Sequence, residues 1–248
     1  MDRSLQKKII FVLSLFFSLL NPVKSFAQEP SQLDQIRIQI WADMDAFPGN
    51  FEEEALSPEE EKEALNLEED ELEIFRFSIN RAKQITPYLL SGMLGGWGFE
   101  YTPSDKARKV EEYFELTVLK PFDTSVNRIS YKSPQVDGPK LKVWAFCDRT
   151  ATQKIVYQRW ISITHPKIKG IGEASVEKGF EGIQEACENA VKNGVREYWR
   201  IYEKNKPKEI SGSILIVDNP RIYIRQGKYV VDLDFFMETD RIIRYSLY

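Results

Sequence analysis

Apolar residues recur every third or fourth position through Phe180, Ile183, Cys187, Val191, Val195, Tyr198 and Tyr202, while Glu185, Glu188, Lys192, Arg196, Glu203 and Lys204 fill the opposite side. That period predicts an amphipathic helix over about 174–205, ended by Pro207. A second stripe, Leu72, Phe75, Ile79, Ala82 and Ile85, predicts a helix over about 71–86 that Pro87 stops. Elsewhere the period shortens to two. Residues 35–41 alternate as a half-buried strand, and 128–132, 141–148 and 154–164 read as further strands between turn residues. Beyond the long helix, 210–217, 221–225, 228–237 and 242–247 read as an antiparallel meander broken by AspAsnPro, GlnGly and ThrAsp. A two-residue turn at Gln226-Gly227 sets Ile224 opposite Tyr229, Ile222 opposite Val231 and Arg221 opposite Asp232. Tyr229, Val231, Leu233, Phe235 and Met237 then point together at the helix, with Asp232 and Asp234 facing water.

These elements predict an α+β fold, antiparallel sheet packed against the two helices. ProTyrLeuLeuSerGly at Pro87 and ProLysGluIleSerGly at Pro207 share a Pro-x-x-(Leu/Ile)-Ser-Gly pattern. A duplicated helix-then-sheet unit is one reading of it, and chance similarity is the other. Residues 167–172, with Pro166, Gly170 and Gly172, are the candidate boundary between a part spanning 28–166 and a part spanning 167–248; the alternative is one continuous domain.

The first 27 residues stand apart from this pattern. Arg3, Lys7 and Lys8 precede the apolar run 9–20, and SerPheAla ends at Ala27. This is the form of a secretory signal peptide, and its apolar run is too short to span a bilayer. The mature chain is expected to start at Gln28, periplasmic or secreted, without a transmembrane span. Losing Asp2, Arg3, Lys7, Lys8 and Lys24 takes the net charge from −4 to −7. Residues 52–73 hold twelve carboxylates and only Lys62 as a base, so the rest of the mature chain is slightly positive. Ser57, Pro58 and Glu60 form a capping box that starts a helix there, its acids solvated. No clustered basic face of the kind nucleic acid needs is visible.

Candidate chemistry is sparse. His165 is the single histidine, so no paired-histidine zinc site exists, and no Gly-x-Ser-x-Gly elbow exposes a serine nucleophile. Gly92, Gly95, Gly96 and Gly98 lack the Lys-Ser/Thr ending of a phosphate loop and are read as letting a bent strand pass close to the helices. Asp43, Asp45 and Glu54 match three positions of a calcium loop, but Phe47 and Pro48 occupy the places of a ligand and the turn glycine. Neither a cofactor nor a metal is expected. In 141–147, Leu141, Val143, Ala145 and Cys147 share one face and Trp144 and Phe146 the other, so the strand is either buried on both sides or presents its aromatics to a ligand. Cys147 and Cys187, carried into an oxidising compartment, can both face one helix-sheet interface, where they either form a disulfide or stay as two buried thiols.

From residue 170 onward the chain resembles the small exported LPP20 and FlgT type domains of bacterial envelopes. The likeness rests on GlyIleGlyGluAla, on a helix with Ala186 and Ala190, and on the strands after it. The resemblance implies a non-catalytic accessory or assembly role and carries over no functional residue. The expectation is an exported, non-enzymatic envelope protein that binds or scaffolds an unidentified partner. One alternative is a carrier of a lipid or other amphiphile between sheet and helix; another is a hydrolase of unrecognised form.

Overall fold

A computed structural model describes residues 32–44, 69–162 and 164–245. The leader, its cleavage point and most of the acidic segment lie outside the described residues. The elements run β1 (Gln35–Asp43), α1 (Glu69–Leu94), β2 (Trp97–Thr102), β3 (Tyr113–Val118), β4 (Ile129–Asp137), β5 (Lys140–Asp148), α2 (Ala151–Trp160), β6 (Lys167–Ser175), α3 (Gly179–Tyr202), β7 (Glu209–Arg225) and β8 (Lys228–Ile243). The fold is α+β, with two antiparallel sheets, β1-β5-β4 and β3-β2-β7-β8-β6. Residues 31–248 form one compact unit. The candidate boundary at 167–172 is occupied by β6, which pairs with β8 along its length.

The predicted hairpin register is the observed one: Ile224 pairs with Tyr229, Ile222 with Val231 and Arg221 with Asp232. Gln226 (φ 52°) and Gly227 (φ 70°) make the tight turn whose twist matches the flanking strands. Instead of a four-strand meander, two long strands run through the breaks. Asp218, Asn219 and Pro220 form a bulge inside β7, and a second register shift falls opposite Asp240. Tyr229, Val231, Leu233, Phe235 and Met237 are buried together as expected. Asp232 does not face open water: its side chain is 11% exposed, and Arg221 donates to its Oδ2 at 2.6 Å.

Three boundaries differ from the sequence expectation. Pro87 sits inside α1, which continues to Leu94, where the N–H groups of Gly95 and Gly96 both donate to Ser91 O. Proline removes one helical hydrogen bond, but burial of Leu89, Leu90, Met93 and Leu94 outweighs that loss. Gly92 is therefore helical, packed on Trp97 and Ile216, and is not part of a bent strand. Residues 154–160 are helical rather than extended. Thr150 and Gln153 form a reciprocal capping box at the start of α2, and Tyr157 and Trp160, three apart, are buried on Leu215 and Val217. Finally, 174–178 are strand and 3₁₀ turn, so α3 begins at Gly179.

Gly170 and Gly172 are strand residues chosen for close approach, not chain relaxation. A Cβ at Gly170 would lie 2.0 Å from Ala190 O, and one at Gly172 would lie 2.2 Å from Ala186 O. The small residues Ala186, Ala190 and Gly194 of α3 lie on that strand, and Asn189 and Asn193 donate to the carbonyls of Glu173 (3.0 Å) and Ile171 (2.8 Å). Helix α1 lies against β1, β5 and β7 and so joins the two sheets in one core. Both helices are followed by an antiparallel strand pair, and the order strand, helix, strand, strand occurs twice. The six-residue echo does not mark equivalent places: 87–92 are inside α1, whereas 207–212 lead into β7.

Candidate functional site: the outer face of the three-stranded sheet

Strand β5 runs down the middle of the three-stranded sheet, so alternation decides the fate of its side chains. Leu141, Val143, Ala145 and Cys147 point inward with Ile36, Ile38 and Ile40 of β1 and are buried in the main core. Lys142, Trp144 and Phe146 take the other face, half-buried. Register then builds a grid. Lys142 lies between Trp41 and Gln135, Trp144 between Gln39 and Lys132, and Phe146 between Arg37 and Ser130.

Aromatic rings and cations interleave across this face. The Arg37 guanidinium lies 4.2 Å from the Trp144 ring centroid and 5.8 Å from that of Phe146. Lys132 Nζ is 5.0 Å from the Phe146 ring, and Lys140 Nζ is 4.4 Å from that of Trp41. Each contact contributes roughly 0.5–1 kcal/mol at an exposed position, enough to order the side chains. Among the described residues, Arg37 and Lys132 of the flanking strands lie over the rings of Trp144 and Phe146 on this second face.

Towards β7 the face deepens into a groove of about 560 Å³, lined among others by Trp41, Lys140, Lys142, Pro220, Arg221 and Tyr223. Such a volume lies within the roughly 300–1,000 Å³ of small-ligand sites. The β7 bulge forms its wall and is held to β1 by the Gln39 N–H, which donates to Asn219 Oδ1 at 2.8 Å. Asp137 is its acidic member; it pairs with Lys142, which holds its carboxyl below the usual range. The AspAsnPro break was legible in sequence, but that it faces Trp41 was not.

The cysteines are not brought together. Cys147 is on the inner face of the three-stranded sheet and Cys187 on α3, which packs on the five-stranded sheet, and both are free, buried thiols. The shared interface expected from sequence fails because the strands of the middle and the long helix belong to different layers. Burial pushes the Cys147 thiol up to about 11 and raises that of Cys187 further, which suits apolar packing and opposes thiolate chemistry.

His165 lies at the turn before β6, its ring 4.9 Å from Trp160. Ser162 Oγ is 3.3 Å from its Nδ1, and Glu238 Oε2 is 3.8 Å from its Nε2, beyond a hydrogen bond. Glu238 is instead held by Arg159 at 2.6 and 2.8 Å, so no relay forms. Among the described residues no group of three or more metal-ligating side chains converges. Of the calcium-loop residues, Asp45 and Glu54 lie outside the described residues. Asp43 ends β1, and burial raises its carboxyl. Among the described residues no helix is long and apolar enough to cross a membrane.

A family model matches residues 23–245, nearly the whole chain and every element described above. The chain belongs to that family. A relative from Treponema pallidum (strain Nichols), described as an uncharacterized protein, is 27% identical over 213 residues, 86% of this chain and 83% of the relative. No solved structure matches. Neither match supports the LPP20 and FlgT resemblance, and both run well beyond the C-terminal third on which it rested.

Proposed function

We propose that this chain is an exported, non-enzymatic binding protein of the bacterial envelope, periplasmic or secreted after cleavage near Ala27. Its docking surface is the outer face of the three-stranded sheet, and the occupant is an acidic segment of a partner protein. The observation that carries this reading is the cation and aromatic grid of Arg37, Lys132, Lys140, Trp41, Trp144 and Phe146 on a face that no described element covers. Aromatic rings supply apolar area at little conformational cost, and the surrounding cations select carboxylates over neutral chains.

The test uses the chain from Gln28 and a fluorescent peptide of alternating Glu and Phe, with a Gln-for-Glu peptide as control. Binding is expected for the acidic peptide, weakening with salt as screened exposed charges do. Lys132→Glu and Trp144→Ser should each weaken it about tenfold, the equivalent of roughly 1.4 kcal/mol. Equal binding of the Gln control, or indifference to both substitutions, would reject the surface. Export is checked separately by N-terminal sequencing of the protein recovered from fractionated cells. Retention of Met1 in a cytoplasmic product would reject that part.

A further inference from the structure

The C-terminal end of α3 carries a second surface, built differently from the sheet face. Residues 196–208 hold five bases, Arg196, Arg200, Lys204, Lys206 and Lys208, against Glu197 and Glu203. Both acids are already engaged, Glu197 by Arg200 at 2.7 Å and Glu203 by Arg244. Within this basic stretch Ile201 is 76% exposed and Tyr202 63% exposed. Tyr198, Trp199 and Tyr202 cluster beside them, with centroids 5.3, 4.7 and 6.4 Å apart.

Behind the cluster is a groove of about 410 Å³ between α3 and the ends of β2 and β7, with Tyr101, Pro103 and Ile210 on its apolar side, Arg196, Lys204 and Lys206 on its basic side, and the carboxylates of Glu112, beside Arg196, and Glu203, paired with Arg244, also in its lining. Trp199 lines it too, and its indole N–H is buried without an acceptor.

We propose that this end of the molecule docks on an anionic lipid surface. Ile201 and Tyr202 enter the interface, the lysines and arginines lie at the phosphate level, and the groove receives one headgroup against Lys204 and Lys206. Tyrosine and tryptophan beside lysine and arginine suit the boundary between hydrocarbon and water, where rings are half apolar and cations meet phosphate. Charge complementarity selects an anionic surface. The apolar area offered by two side chains is far below the roughly 800 Å² per partner of a stable protein interface, whereas a bilayer needs only a few inserted groups and basic contacts. The inference does not rest on the sheet-face reading.

The experiment is sedimentation of the chain from Gln28 with vesicles of phosphatidylglycerol and phosphatidylcholine in equal parts, and with vesicles of phosphatidylcholine alone. This chain contains the whole compact unit 31–248. The expected result is salt-sensitive binding to the anionic vesicles only. Ile201→Asp, at a position too exposed to affect folding, should lower partitioning about tenfold or more, from the loss of an inserted side chain. Lys204→Glu with Lys206→Glu should lower it at least as much. Lys132→Glu on the sheet face should leave it unchanged. Absence of binding, equal binding to neutral vesicles, or full binding by Ile201→Asp would overturn the proposal. Loss of binding in Lys132→Glu would do the same by moving the contact to the sheet. Full affinity in the Lys204→Glu, Lys206→Glu double variant would overturn the headgroup assignment.

Discussion

Replacing Gly172 by alanine is expected to be among the most damaging single-methyl changes in this protein. The added Cβ would sit 2.2 Å from both Ala186 O and Ala190 N and 2.7 Å from Asn189 C, all backbone atoms of α3. No side chain can rotate away, so the helix must move off β6 by roughly 1 Å to restore ordinary contact, the distance a close-packed interior resists. Overpacking of this kind costs about 1–3 kcal/mol. The same movement strains the Asn189 and Asn193 bonds to the β6 carbonyls, each contributing about 1 kcal/mol. The expected loss is therefore about 3–5 kcal/mol, a large share of a typical total of about 5–15. Urea unfolding followed by circular dichroism measures it, with Ile171→Ala as the control, because the neighbouring Ile171 is exposed on the same strand. The control should change stability by no more than about 0.5 kcal/mol. If Gly172→Ala matches the control at an unchanged m-value, the contact between α3 and β6 is not as close as described and the reasoning fails.

Thiol counting on the denatured, unreduced protein should find two free thiols, Cys147 and Cys187; one bridge and no free thiol would contradict the separate layers. Burial raises Cys147 from its ordinary 9.0 to about 11, so the unfolded chain ionises first, and stability present below about pH 9 should fall as pH rises towards 11. A flat profile there in comparison with Cys147→Ser would contradict this. Arg149→Gln should cost about 2–4 kcal/mol in the same urea assay, because Arg149 donates to Met93 O at the end of α1 and to Gln32 O while stacking on Tyr157; a loss under 0.5 kcal/mol would show the contacts to be dispensable. Replacing alternate Glu by Gln across 52–73 should leave the melting temperature unchanged or raise it, since neighbouring like charges repel, and a clear drop would mean that the acids are partnered.

Local chemistry made much of the fold legible in advance. The hairpin register follows from Gln226-Gly227 and strict alternation, and the apolar stripe of α3 follows from its period, because both depend on neighbours within a few residues. The capping box of Thr150 and Gln153 was equally local and would have identified α2, but the β-branched and aromatic run after it favoured a strand reading. Tertiary packing decided the rest. Pro87 stays helical because buried side chains follow it, and Gly170 and Gly172 are strand residues because a helix backbone lies on them. The site divides in the same way. Alternation placed Trp144 and Phe146 on one face, but only pairing with β1 and β4 brings Arg37 and Lys132 over them from residues far apart in the chain. The cysteines fail to meet for the converse reason: each is apolar-facing by its own period, and nothing local records that the two faces belong to different sheets.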